Sequence, residues 1–171
     1  MFSRILLASD GSGDANQAAT AAASLAERFG AQMHILHVFS LLPPDSARTD
    51  VSPFHDQSSI LQGVVERWAE KSADEVGHRI KRALSSYDIP YTFHQENGDP
   101  AAVIVQVAER EGFDLIVIGC RGLGPALRDR LGSVSDWVSH HAPCPVLIVR
   151  PLRSLLEPAT AKPAVRALQS A

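Results

Sequence analysis

Four short runs dominated by apolar residues constrain this chain more than any other feature: RILLAS (4–9), QMHILHVF (32–39), DLIVIG (114–119) and PCPVLIVR (143–150). Alternating strands bury one face, whereas continuous runs of this length bury both. Between them lie helical stretches. DANQAATAAASLAERF (14–29) is alanine-rich and closed by Gly30, a residue suited to a helix C-cap. SSILQGVVERWAEKSADEVGHRIKRALSSY (58–87) reads as one long helix with Leu61, Val65, Trp68, Val76, Ile80, Ala83, Leu84 and Tyr87 on its apolar face. YTFHQE (91–96) adds a strand, and Asp99-Pro100 opens the next helix, AAVIVQVAEREG, with Asp99 as its cap. SVSDWVSHHA is the last helix. A β-α alternation of this kind predicts an α/β domain, a parallel sheet with helices on both faces.

At 171 residues the chain fits one domain. The loop LLPPDSARTDVSPFHDQ is long for a compact domain, and such loops tend to be functional or mobile. Beyond Arg150 three prolines and the loss of strand patterning predict a separate tail, so the boundaries read as a domain over 1–151 and an appended, mobile or loosely docked segment over 152–171. The formal net charge of −3 and the absence of a long basic run argue against a general nucleic-acid binder. No apolar stretch is long enough to cross a bilayer, and the N-terminal run is too short for a signal peptide. Two cysteines, Cys120 and Cys144, make no disulfide framework and suit the reducing cytoplasm.

The chemistry concentrates in GCRGLGPALRDRLGSVSD (119–136), a glycine- and arginine-rich loop between a buried strand and a helix. In a doubly wound sheet, ligands bind beyond the carboxyl ends of the strands, where connections diverge. Backbone N–H groups and the dipole at a helix N-terminus favour an anion. Gly119 and Gly122 allow close approach, Gly132-Ser133 starts the helix, and Arg121, Arg128 and Arg130 add positive charge. Phosphate is the natural guest. The same residues also read as a plain capping box, Ser133 capping and Asp136 reaching back. No Gly-Lys-Ser/Thr follows, so the loop is not a Walker motif.

Gly119-Cys-Arg-Gly122, nine residues, then Gly132-Ser133 resembles the G-x2-G-x9-G-S/T motif of the universal stress protein family. ILLASDGS, GDPAAVIVQVA and SVSDWVSHHAPCPVLIVR are similar to that family's opening, third-helix entry and C-terminal segment, so the likeness runs from residue 2 to about 150. The resemblance implies a five-stranded parallel sheet in the order 3-2-1-4-5, a nucleotide-binding fold of the Rossmann-like and α-hydrolase kind. It implies an adenine nucleotide, ATP with Mg²⁺ or Mn²⁺ held by phosphate oxygens rather than by protein side chains. Ala8 and Ser9 would line the base side, Asp10 would lie by the nucleoside, and the backbone of Val38 would read the adenine edge. Gly119, Arg121, Gly122, Gly132, Ser133, Val134 and Ser135 would surround the phosphates. It further implies a homodimer joined through the last strand, Val146, Leu147, Ile148 and Val149.

Each assignment has a plainer counterpart in the residues themselves. Asp10 before Gly11 also suits a turn; Val38 suits a core, Ser135 a first turn, and the arginines a solvated surface. His34 and His37 are three apart on a strand and face opposite ways, and His140-His141 lack partners at ligand spacing, so the seven histidines suggest no metal site. Cys120 sits near arginines and a helix start, a setting able to lower a thiol pKa and to open a redox role; the plainer reading is an inert position in the motif. No residue stands out as a general base. The expected role is therefore that of a nucleotide-dependent regulatory or stress-response protein with no catalytic residue and at most slow ATP hydrolysis. Two alternatives are an adenylyl- or pyrophosphate-transferring enzyme, whose S-G-G-x-D-S is not matched by Ser9-Asp10-Gly11-Ser12-Gly13-Asp14, and a nucleotide-free interaction module.

Overall fold

A computed structural model of the chain describes residues 2–40, 59–123 and 131–151, and for 59–65 the backbone alone. The elements follow in the order β1 (Arg4–Ala8), α1 (Gly13–Phe29), β2 (Gln32–Phe39), α2 (Ser59–Ala83), β3 (Tyr91–Asn97), α3 (Pro100–Glu111), β4 (Leu115–Gly119), α4 (Ser133–His141) and β5 (Val146–Val149). The five strands form one sheet, β3-β2-β1-β4-β5, and every pairing is parallel. This is the expected order. Arg128, Arg130, the long loop and the segment 152–171 lie outside the described residues, as do the side chains of Leu61 and Val65.

The apolar runs are continuous because the central strands are covered twice. Odd-numbered residues of β1, β2 and β4, among them Ile5, Leu7, Met33, Ile35 and Val117, pack with α1 and α2. Even-numbered Leu6, Ala8, Leu36, Ile116 and Ile118 pack with α3 and α4. Each fully buried Leu or Ile contributes roughly 1.5–3 kcal/mol relative to exposure.

Helix α1 meets the sheet through Ala15, Ala18, Ala19, Ala22, Ala23 and Ala26, all buried and at helical spacing. Small side chains let this helix lie close. The consequence appears at Gly119, where a Cβ would sit 2.8 Å from the carbonyl carbon of Asp14 and 2.9 Å from the nitrogen of Ala15. The close approach that Gly119 permits is therefore to α1.

Helix α2 departs from the expected face at Trp68. Val76, Ile80 and Leu84 are buried, but Trp68 is 76% exposed. The inward positions there are Ala69, Ser72 and Ala73, small residues with a single hydroxyl among them. Two of them bond to strands: Gln95 Nε2 donates to the Ala69 carbonyl and Ser72 Oγ meets a ring nitrogen of His37. Polar ties replace apolar burial along that stretch.

Candidate functional site

Strands β1 and β4 are neighbours, and their chains leave in opposite senses, β1 toward α1 on one face and β4 toward α4 on the other. Beyond their carboxyl ends lies a cavity of about 320 Å³. Its floor crosses three strands in register, since Ala8 pairs with Leu36 on one side and with Ile118 on the other. Ala8 in the middle leaves room above it. Ile104 and Pro100 of α3 and Val134 of α4 close the apolar side.

The wall of this cavity brings together Ala8, Ser9, Asp10, Val38, Gly119, Arg121, Gly122, Gly132, Ser133, Val134 and Ser135. Those are the positions that the resemblance implied. Sequence reasoning missed Ala15, Leu36, Pro100, Ile104, Ile118 and Leu123, which also line it. No signal along the chain marked Leu36 and Ile118, because they join Ala8 only through the register of three strands.

Val38 lies at the cavity in a way that frees its main chain for use. The Leu36 carbonyl accepts from the Ser9 amide, so even-numbered backbone groups of β2 point toward β1. Two residues further on, β1 has ended, and the Val38 groups point to the space beyond it.

Asp10 both shapes its turn and reaches the glycine loop. Its Oδ1 accepts from the Ser12 amide at 2.9 Å and its Oδ2 from the Leu123 amide at 3.0 Å. Gly122 lies against this carboxylate so closely that a Cβ there would stand 2.5 Å from Oδ2. Any side chain at 122 must displace Asp10. A second carboxylate stitches the same two segments, with Asp14 Oδ2 taking Arg121 Nε at 3.2 Å and the Cys120 thiol at 3.1 Å. Arg121 is therefore an ion-pair partner within the wall rather than a solvated surface residue.

The start of α4 corrects the capping-box expectation. Gly132 is the N-cap, with φ −68° and ψ 153°, and no side chain caps the helix. Ser133 is already in the first turn. Ser135, which is buried, donates from Oγ to the carbonyls of Cys120 and Gly132 at 3.0 Å each, bracing the entry from below. Asp136 sits in the first turn without capping it. The Gly132 amide is itself tied to the Cys120 carbonyl at 2.8 Å. The first-turn residues Ser133, Val134 and Ser135 thus line the cavity, and no side chain caps the helix start.

Cys120 is also corrected. Burial first, then the hydrogen bond with Asp14, pushes its thiol above the ordinary range, against a smaller opposing effect of Arg121. The expectation from arginines and a helix start ran the other way, because it counted charges and not burial. Cys144 is likewise pushed up by burial, then by Asp114. Among the described residues no three or more His, Cys, Asp or Glu side chains are grouped to hold a metal ion. No helix there is long and apolar enough to cross a membrane.

The doubly wound parallel sheet, with a crevice at its switch point walled by glycines and a bare helix start, places the chain in the α/β class. Residues 1–150 match the model of the universal stress protein family. A universal stress protein of Thermus aquaticus is 38% identical over 155 residues, covering 88% of this chain and all of that protein. The chain belongs to the universal stress protein family. Among solved structures, the universal stress protein UspA from Lactobacillus plantarum matches with a TM-score of 0.68 at 26% identity, over 87% of this chain and 98% of that one. A universal stress protein in complex with cAMP matches with a TM-score of 0.59 at 21% identity, over 86% of this chain and 97% of that one. An Arabidopsis thaliana family protein with AMP bound matches with a TM-score of 0.54 at 19% identity, over 86% of this chain and 91% of that one.

 At these identities the two nucleotide-bound structures speak to the fold.

Proposed function

We propose that the cavity holds an adenine nucleotide, ATP in the first instance, and that the chain works as a nucleotide-dependent regulatory protein of the stress response. The observation that carries this reading is the bare N-terminus of α4, where Gly132 caps without a side chain and Ser133, Val134 and Ser135 line the cavity. Such a terminus favours phosphate oxygens through both hydrogen bonds and dipole. The apolar floor of Leu36, Ala8 and Ile118 suits the faces of a purine. The Val38 main chain at the open side of β2 supplies a donor and an acceptor for its edge. Asp10 offers a carboxylate to ribose hydroxyls.

The two relatives solved with cAMP and AMP support an adenine guest. Magnesium or manganese would enter with the phosphates, which supply most ligands to such ions. In this reading the protein has no catalytic residue, and hydrolysis of bound ATP is slow. It is cytoplasmic, and it pairs as a homodimer through β5, an edge strand with Leu147 37% exposed.

The test is calorimetric titration of magnesium-ATP into the native chain and into Gly122→Val/Gly132→Val, with thermal melts to confirm folding. Saturable heat in the native chain that a folded double variant lacks supports the reading. Equal heats in both, or none in the native chain, would refute it.

A further inference from the structure

The turn that carries Asp10 is gripped from the far side of the sheet. His37 is buried on the α1/α2 side, away from the cavity. Its Nδ1 lies 3.0 Å from the Ser9 carbonyl oxygen and its Nε2 2.9 Å from Ser72 Oγ on α2. A carbonyl only accepts, so Nδ1 carries a proton and donates, and in the neutral ring Nε2 accepts from the Ser72 hydroxyl. A second tie runs parallel to the first, Arg79 Nη1 donating to the Gly11 carbonyl at 3.0 Å. Gly11 itself has φ +74°, and a Cβ there would stand 3.2 Å from Val76 Cγ2. Ala69, Ser72, Val76 and Arg79 recur at helical spacing, so one stripe of α2 makes all these contacts.

We infer that His37 is a positioning residue for the crevice, and that α2, through Ser72–His37–Ser9 and Arg79–Gly11, holds the 9–11 turn in the shape that presents Asp10 to the ligand. This deepens the nucleotide reading and rests on it for the ligand's identity. A turn held in its bound shape spares the ligand the cost of ordering it. Because coupling between two sites is reciprocal, a ligand that orders the turn also steadies α2.

The ring of His37 fills core space, so Ser72 and Arg79 give the cleaner variants. In the full chain without nucleotide, exchange of the Ser12 amide, which bonds Asp10 Oδ1, reports the order of the turn. Ser72→Ala and Arg79→Met are each expected to speed that exchange roughly three- to tenfold while Val117 amide exchange in β4 is unchanged. The Kd for magnesium-ATP should weaken by a similar factor, and Ser72→Thr, which keeps the hydroxyl, should restore both. Unchanged Ser12 exchange in both variants overturns the inference, whatever ATP does. Faster exchange with an unchanged Kd overturns the positioning role. Faster exchange in a chain whose native form binds no ATP overturns the nucleotide reading, and the effect on affinity with it, while leaving the clamp on the turn supported.

Discussion

His34 shows how much of a residue's behaviour its neighbours decide. The ring sits edge-on to Phe113, with centroids 5.0 Å apart, and stacks beside His94, its Nδ1 3.3 Å from His94 Nε2. Burial first, then the charges of Arg4 and His94, lower its pKa below the ordinary 6.5, against a smaller opposing pull from Glu111. The unfolded chain therefore binds the proton more readily. Stability should be full above about pH 6.5 and fall as pH drops through the lowered value. Urea titrations between pH 7.5 and 5 should show this fall, and His34→Gln should flatten it; an unchanged slope in the variant would contradict the assignment. At the same scale, Gly119→Ala forces a methyl into α1 at 2.8 Å from backbone. Overpacking of this kind costs about 1–3 kcal/mol, read as a lower denaturation midpoint. The sequence pointed to Gly119 as a special position through the glycine motif, but its close approach to α1 was not readable, since only the packed helix shows that α1 comes so near. The partnership of His34 with His94 lay beyond it too, because residues on separate strands meet only through register.

At the scale of elements, the sequence was most legible where a local signal was self-contained. Asp99 caps α3 through its side chain, accepting from the Ala102 amide at 2.9 Å, and Pro100 stands in the first turn. Gly30 closes α1 in the left-handed conformation. Asp99→Ala should cost about 1 kcal/mol, measured by denaturant titration, and Asp99→Ser should recover most of it. Legibility failed where a helix start depends on what lies opposite. Ser133 is spaced for a cap, yet the chain enters α4 through Gly132, with the Gly132 amide tied to the Cys120 carbonyl. Trp68 shared a periodic stripe with Val76 and Ile80, but beside it α2 meets β2 and β3 through Ser72 and the Ala69 carbonyl. A large apolar residue had no place on that polar seam. Edge strand β5 carries the proposed dimer. Leu147→Asp should shift the mass measured by light scattering from two chains toward one, with little change in melting temperature of the separated protomer.

The whole molecule places a bare helix end, a carboxylate turn and a three-strand apolar floor around one space of about 320 Å³. No single one of these features specifies a nucleotide. In the proposed complex each would meet a different part of one: the floor its base, Asp10 its sugar, the start of α4 its phosphates. The glycine motif and the order of strands were readable along the chain, whereas the floor was not, because Leu36, Ala8 and Ile118 become neighbours only when three strands align. Occupancy of this crevice is what a direct measurement decides. Freshly purified protein, denatured and filtered, should release an adenine nucleotide detectable by mass spectrometry, and Gly122→Val/Gly132→Val, folded by its melt, should release none. Release of the same nucleotide from both proteins, or of none from a native chain that also gives no heat with magnesium-ATP, would contradict it.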